Sequence, residues 1–131
     1  MPCALCDGDQ LSFPVPDAAG EHLPDDRPGA ALCTHCLAVE PVDDPPSAYP
    51  AFSESIPGFP DGEAGAVVAC VFALVDSLAL YRAEVSALAD AAERRGVDVL
   101  LLIDRLAATD GVEPYFDVSR RGTQLEQLLY E

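Results

Sequence analysis

The sequence predicts a mainly α-helical chain, with a small N-terminal region of short β-hairpins carrying four cysteines and a C-terminal bundle of three to four helices. Two C-x2-C pairs lie within the first 42 residues, a proline-rich stretch follows them, and helical periodicity dominates thereafter. With 131 residues the chain has room for one domain, or one small domain beside an appendage. We therefore expect a zinc ribbon over 1–42, a proline-rich linker or wrapping arm over 43–62, and a helical bundle over 63–131.

The two cysteine pairs have the spacing of metal ligands. Cys3 and Cys6 form the first pair, Cys33 and Cys36 form the second, and residues 7–32 lie between them. Each pair predicts a tight knuckle, and four thiolates suit one tetrahedral Zn²⁺ ion without leaving an open position for catalysis. A structural zinc site is the main prediction. A rubredoxin-like iron site, reduced thiols and redox disulfides are the alternatives.

Short strands and turns are predicted around these cysteines. Residues 11–15, punctuated by proline, favour an edge strand, and residues 30–32 lead into the second pair. Residues 17–29 form a polar loop rich in glycine, proline and aspartate. Gly8, two positions after Cys6, predicts a turn with positive φ where backbone amides approach the sulfurs.

The stretch 43–62 is rich in proline and shows no hydrophobic periodicity. Its aromatic residues Tyr49, Phe52 and Phe59 are unusual for a solvated tether, so we expect it to lie on the helical part. Asp61 is a candidate N-cap for an almost wholly apolar helix that begins near Glu63.

The rest of the chain predicts further helices. An amphipathic helix ends at Gly96, a candidate C-cap, and its continuity with the preceding helix across 77–82 is left open. Val97 to Ile103 suits either a strand or a helix, and Asp98 as N-cap favours the helix. A last helix begins around Asp117 or Ser119.

Acidic residues dominate the charge. There are 23 Asp and Glu against 7 basic residues, all of them arginine, for a net charge of −16. At about 1 M salt the Debye length is roughly 3 Å, which screens the self-repulsion of such a chain. We interpret the acidity as an adaptation to a salt-rich cytosol. It excludes a generally basic nucleic-acid binder and argues against recruitment to an anionic membrane.

A membrane span and a secretion signal are also disfavoured. The apolar run from Ala64 to Val75 is too short to span a bilayer. The N-terminus lacks the basic and apolar regions of a signal peptide, which leads us to expect a cytoplasmic protein.

Candidate catalytic residues are scarce. There is no phosphate-binding loop, dinucleotide fingerprint, nucleophile elbow or HExxH motif, so we expect no enzymatic activity. A thiol oxidoreductase is a weaker hypothesis. His22 and His35 are expected to be ordinary loop and exposed knuckle residues, and Cys70 an ordinary buried thiol.

The expected role is an adaptor or regulatory module that binds a protein partner. The alternative is a zinc ribbon associated with nucleic acid or the ribosome in transcription or translation, with phosphate contacts from four arginines. These are Arg94, Arg95, Arg120 and Arg121. Direct nucleic-acid binding is disfavoured because residues 1–42 are strongly acidic.

Four features follow one another along nearly the whole chain. They are a C-x2-C-x-G knuckle at its start, a CTHC knuckle, a proline-rich bridge, and an Ala/Val/Leu helix followed by DSLALYRAEV and RRGTQLEQLL. In these features the chain resembles a haloarchaeal family of short zinc-ribbon proteins of unknown function. The resemblance implies a zinc ribbon with a helical C-terminal part and a salt-loving host. It implies no activity, substrate or catalytic residue. The first knuckle departs from the common C-P-x-C-G form, because Gly8 comes one place late.

Overall fold

The computed structural model describes residues 2–130 and begins with a three-stranded antiparallel sheet. Its strands are β1 (Gln10–Pro14), β2 (Gly29–Cys33) and β3 (Val39–Val42), in the order β1-β2-β3. The predicted edge strand is therefore present. Gln10 pairs with Cys33, and Leu32 pairs with Val39. This register makes the second cysteine pair the turn between β2 and β3 and brings the residues after the first pair beside it.

Six α-helices lie within residues 2–130. They are α1 (Asp17–Gly20), α2 (Phe52–Ser55), α3 (Gly62–Leu74), α4 (Arg82–Arg94), α5 (Val99–Ala107) and α6 (Val118–Leu129). The four longer helices, α3 to α6, correspond to the predicted bundle, whereas α1 lies in the stretch that we expected to be a loop. The mainly α prediction holds in part, because the sheet is a substantial part of the same fold.

The helix boundaries resolve two open questions. A 3₁₀ turn at Val75–Ser77 follows α3, so α3 and α4 are separate helices. The segment beginning at Val97 is helical, because the Asp98 carboxylate accepts a hydrogen bond from Leu101 N at 3.1 Å and caps α5. Gly96 has a φ of +85°, as its predicted C-cap role requires.

The predicted cap at Asp61 is only half right. Asp61 occupies the N-cap position of α3, but its side chain makes no capping bond to that helix. Its carboxylate instead accepts hydrogen bonds from Ser53 N at 2.8 Å and Ser53 Oγ at 2.7 Å. The N-cap residue of α2 is Ala51, which offers no side-chain acceptor, so Asp61 satisfies the first turn of α2.

One hydrophobic core passes through all three predicted segments. Phe13 of β1 contacts Phe52 of α2 with ring centroids 5.7 Å apart, Phe52 contacts Phe59 at 5.3 Å, and Phe59 contacts Phe72 of α3 at 6.1 Å. The series continues to Phe116 at 5.9 Å. The proline-rich stretch therefore packs between the sheet and α3. The segment boundaries near 42 and 62 remain a prediction.

Helix α3 is the centre of this core. A Cβ atom on Gly65 would lie 2.2 Å from the carbonyl oxygen of Pro60 and 2.5 Å from a ring carbon of Phe52, so only glycine allows α3 to approach the proline-rich stretch this closely. In the described part of the chain, no helix combines the length and apolar character needed to cross a membrane.

Candidate metal centre

The fold brings together the four cysteines that the sequence singled out. Their Sγ atoms all lie within 4.8 Å of one another. Cys3 Sγ lies 3.7 Å from Cys36 Sγ, and Cys6 Sγ lies 3.4 Å from Cys33 Sγ. A tetrahedral ion bound to four thiolates at about 2.3 Å has sulfur–sulfur separations of about 3.8 Å, whereas a disulfide bond is about 2.05 Å long. The cluster therefore consists of free cysteines that can hold one metal ion.

The two knuckles, residues 3–8 and 33–38, have the same backbone hydrogen bonds. In each, the N–H of the first cysteine donates to the carbonyl oxygen five residues later, and its own carbonyl oxygen accepts from the N–H four residues later. The bonds are Cys3 N to Gly8 O (2.9 Å), Asp7 N to Cys3 O (2.9 Å), Cys33 N to Ala38 O (2.9 Å) and Leu37 N to Cys33 O (3.1 Å). This match orients two thiols per knuckle toward a common point.

A positive φ follows the second cysteine of each knuckle. Asp7 has a φ of 62° and Leu37 a φ of 65°. The prediction that Gly8 carries the positive φ is therefore wrong, because the left-handed residue is Asp7. Gly8 is needed for space instead: a Cβ atom there would lie 3.0 Å from Cys33 Sγ and 3.2 Å from Cys6 Sγ.

Backbone amides approach the sulfurs, although not at Gly8. Leu5 N donates to Cys3 Sγ at 3.4 Å, and Cys33 Sγ accepts from both His35 N and Cys36 N at 3.4 Å. Such bonds stabilise negative charge on a thiolate. Burial raises the pKa of the Cys36 thiol well above its usual range, which opposes ionisation unless a cation is bound.

The segment between α5 and α6 holds the second knuckle in place. His35 Nδ1 donates to the carbonyl oxygen of Gly111 at 2.7 Å, and its Nε2 lies 3.3 Å from the Glu113 carboxylate. Glu113 N donates to His35 O at 2.7 Å, and Tyr115 N donates to Cys36 O at 2.8 Å. The side chain of His35 is 40% exposed, and these bonds hold it to this segment, which the prediction of an ordinary knuckle residue did not include.

Tyr115 joins the cysteine cluster to the helices. Its ring packs against the cluster, and its hydroxyl donates to the carbonyl oxygen of Phe72 in α3. Burial raises the pKa of Tyr115 above its usual range, so the hydroxyl remains a donor. Sequence reasoning missed Tyr115 and Glu113 because their partners are far away in the chain and no local pattern marks such pairing.

The comparisons with known proteins agree with an unassigned function. A family model described as "Family of unknown function (DUF6276)" matches residues 2–129. The chain belongs to this family. Neither the curated proteins nor the solved structures include a match to it. The family description names neither a host nor a metal, so the haloarchaeal origin and zinc-ribbon character of this DUF6276 chain remain predictions.

The four arginines of the nucleic-acid alternative lie at the end of α4 and in α6 of the DUF6276 chain. Three of them form ion pairs within the chain, namely Arg94 with Asp90 (2.7 Å), Arg95 with Glu63 (2.5 Å) and Arg121 with Asp76 (3.2 Å). Glu63 lies in the first turn of α3, and Asp76 lies just beyond its last residue. Because 13 helical residues span about 20 Å, the two arginine pairs lie at opposite ends of that helix.

Cys70 and His22 lie outside the four-cysteine group. Cys70 is buried in α3, where burial raises its pKa to about 12. His22 follows α1, and its Nε2 lies 3.5 Å from the Glu21 carboxylate. Neither residue faces the cluster as a further ligand.

Proposed function

We propose that this DUF6276 protein is a structural zinc-binding protein that acts as an adaptor or regulatory module in a halophilic cytoplasm. The observation that carries the proposal is the meeting of four Sγ atoms within 4.8 Å on two knuckles with matching backbones. In this arrangement the metal joins the N-terminal knuckle to the sheet, and the segment 111–115 joins the sheet to the helices.

Zinc is the ion that suits this ligand set best. Four thiolates at tetrahedral separations are typical of structural zinc sites, and they leave no coordination position for a substrate. The burial of Cys36 adds a second argument, because a divalent cation compensates the cost of keeping a thiolate away from water. Iron also accepts four thiolates, so the identity of the metal is part of the test.

A protein partner fits the surface better than nucleic acid. Three of the four candidate arginines are neutralised by carboxylates of the chain itself, which weakens their attraction to phosphate. Meanwhile, the tip of the first knuckle presents Leu5, whose exposed fraction is 68%. An exposed apolar side chain beside a rigid metal centre suits a protein contact.

Metal analysis tests the zinc proposal directly. The protein, carrying Cys70→Ala so that only the four cluster thiols are counted, is purified without a metal-binding tag and analysed for zinc and iron. We expect about one zinc per chain, and the three buried thiols, Cys3, Cys33 and Cys36, should react only after a chelator is added. Less than about half an equivalent of zinc, or four freely reactive thiols in the native protein, would contradict the proposal. A full equivalent of iron in the purified protein would show that the bound metal is iron and not zinc.

A pull-down at molar salt tests the proposed role. We expect a specific protein to be retained by the wild type and lost from a Leu5→Ser variant, with Leu80→Ser, another exposed leucine, as the matched control. Retention of nucleic acid at the same salt, lost when the four arginines are replaced by glutamine, would favour the alternative role in transcription or translation.

A further inference from the structure

The four cysteines differ sharply in their access to solvent. Cys3, Cys33 and Cys36 are buried, whereas Cys6 is exposed. Of the exposed residues beside it, Ala4 and Leu5 are apolar and Asp7 is acidic, and the charge of Asp7 does not repel a neutral oxidant such as hydrogen peroxide. Oxidation of cysteine follows thiolate character and exposure, so Cys6 is the ligand that a dissolved oxidant reaches first.

The hydrogen bonds to the sulfurs add to this difference. Cys33 Sγ accepts two backbone N–H groups, and Cys3 Sγ accepts one. Within residues 2–130, no backbone N–H bonds to Cys6 Sγ. Hydrogen bonds to a thiolate withdraw charge from the sulfur, so the Cys6 thiolate keeps more of its nucleophilicity than the other two.

The thiol of Cys33 lies next to Cys6. Cys6 Sγ and Cys33 Sγ are 3.4 Å apart, closer than the 3.7 Å between Cys3 and Cys36. An oxidised cysteine next to another thiol condenses with it to a disulfide. Cys70 is buried in α3 and outside the group, so it does not compete for Cys6.

From these observations we propose that Cys6 is an oxidative modification site, at which hydrogen peroxide converts the Cys6–Cys33 pair to a disulfide and releases the metal. The inference rests on the proposed zinc centre. The Cys6 thiolate attacks one peroxide oxygen, the S–O bond forms, the O–O bond breaks, and hydroxide leaves. The Cys33 thiolate then attacks the Cys6 sulfur, the S–S bond forms, the S–O bond breaks, and a second hydroxide leaves.

The two steps balance with the peroxide as the only oxidant. The two sulfurs together lose two electrons, the two peroxide oxygens gain them, and solvent protons convert both hydroxides to water. Two of four thiolates are thereby removed from the metal, and the remaining Cys3 and Cys36 do not retain it. The second knuckle keeps its bonds to 111–115, so the event loosens the N-terminal knuckle and leaves the sheet joined to the helices.

The test uses the zinc-loaded Cys70→Ala protein, whose metal content is measured first. Hydrogen peroxide is added in small excess, zinc release is followed with a chromogenic chelator, and remaining thiols are alkylated at intervals. Cleavage before aspartates separates residues 1–6 from 26–42, and fragment ions distinguish the four disulfides that can link them. We expect zinc release in step with a Cys6–Cys33 disulfide, reversed by a dithiol reductant and fresh zinc.

A trace of alkylating agent on the loaded protein, without peroxide, provides the kinetic readout. We expect Cys6 to be alkylated at least tenfold faster than each of the other three ligands. In zinc-loaded Cys6→Ser, which keeps three thiolates, peroxide should release zinc at least tenfold more slowly than in the wild type. If Cys6→Ser does not hold zinc, the first disulfide formed in the wild type and its alkylation rates test the inference.

The outcomes separate this inference from the proposed function. Absence of zinc before peroxide is added would overturn the proposed function. A loaded protein whose four ligands react at equal rates, or whose first disulfide joins Cys3 to Cys36, would overturn this inference and leave the zinc centre intact.

Discussion

The two knuckles share a backbone conformation and differ in almost everything that surrounds it. The first knuckle precedes β1, and its tip and Cys6 are exposed. Besides the sulfur cluster, it is connected to the second knuckle through Asp9, whose carbonyl oxygen accepts hydrogen bonds from Thr34 N and Thr34 Oγ. The second is the turn between β2 and β3, has both of its cysteines buried, and is bonded to residues 111–115. The backbone thus determines where the sulfurs lie. The surroundings determine which knuckle depends on the metal and which ligand solvent reaches.

The largest effect should come from exchanging a ligand in each knuckle. Cys36→Ser places a hydroxyl among buried sulfurs, where it neither replaces the thiolate nor gains water, so we expect zinc below half an equivalent and a loss on the order of several kcal/mol. Cys6→Ser leaves three thiolates and an exposed position that water can fill, so zinc should stay bound with reduced affinity.

Zinc content and thermal unfolding at equal free zinc check this prediction. The unfolding midpoint of Cys36→Ser should fall well below that of Cys6→Ser. Equal losses in the two variants would mean that the surroundings of the knuckles do not matter to the metal.

The residues with positive φ give the next contrast. Leu37→Gly relieves about 1–2 kcal/mol of left-handed strain but removes a buried leucine from the core, so we expect a net loss of about 2–4 kcal/mol in the free energy of unfolding. Asp7→Gly relieves strain at an exposed position, and its effect should lie within about 1 kcal/mol, in the stabilising direction. Urea unfolding of the zinc-loaded proteins measures both, and destabilisation by Asp7→Gly would contradict the strain argument.

Gly8 and Ala38 occupy equivalent places in the two knuckles and give a smaller contrast. A methyl group on Gly8 meets Cys33 Sγ and Cys6 Sγ, so Gly8→Ala should cost about 1–3 kcal/mol, part of which appears as zinc affinity lowered about tenfold. Ala38→Gly removes a buried methyl group and should lower the free energy of unfolding without weakening zinc binding. Competition with a chelator of known affinity measures the difference. Equal affinities in both variants would count against crowding at Gly8.

The sequence predicts local features of this site well. The spacing of the cysteines indicated which side chains meet, and Asp98 is the predicted N-cap, since it accepts a bond from the N–H three residues later. The last helix was predicted to begin around Asp117 or Ser119, and Asp117 caps it in the same way. The positive φ was assigned to Gly8 because glycine is the usual left-handed residue. Here Gly8 is required because the sulfur atoms leave no room for a Cβ atom, and Asp7 is the residue with the left-handed conformation.

The sequence does not predict the long-range contacts. The bond between His35 and Gly111 joins residues 76 positions apart, and that between Tyr115 and Phe72 joins residues 43 positions apart. Periodicity and capping rules describe neighbours within a few residues, so they carry no information about which loop will reach a knuckle. The bond between Asp61 and Ser53 was not predicted either, because α2 has only four residues and is too short to show helical periodicity.

Tyr115 gives the smallest effect and tests the attachment of the second knuckle. Tyr115→Phe removes the hydrogen bond to the Phe72 carbonyl and should lower the free energy of unfolding by about 1 kcal/mol at pH 9. Because burial raises the pKa of Tyr115 in the folded protein, its stabilising contribution is present below the unfolded value of about 10 and is lost as the pH rises above it, since the unfolded chain then ionises first.

The wild type should therefore lose stability more steeply than Tyr115→Phe between pH 9 and 11, and the difference between their free energies of unfolding should disappear. Tyr49, whose pKa is also raised by burial, is present in both proteins and cancels from the difference. Urea unfolding at saturating zinc measures this difference at each pH. A constant difference in the free energy of unfolding would mean that the Tyr115 hydroxyl reaches water in the folded protein, and that its bond to Phe72 does not help to attach the second knuckle to the helices.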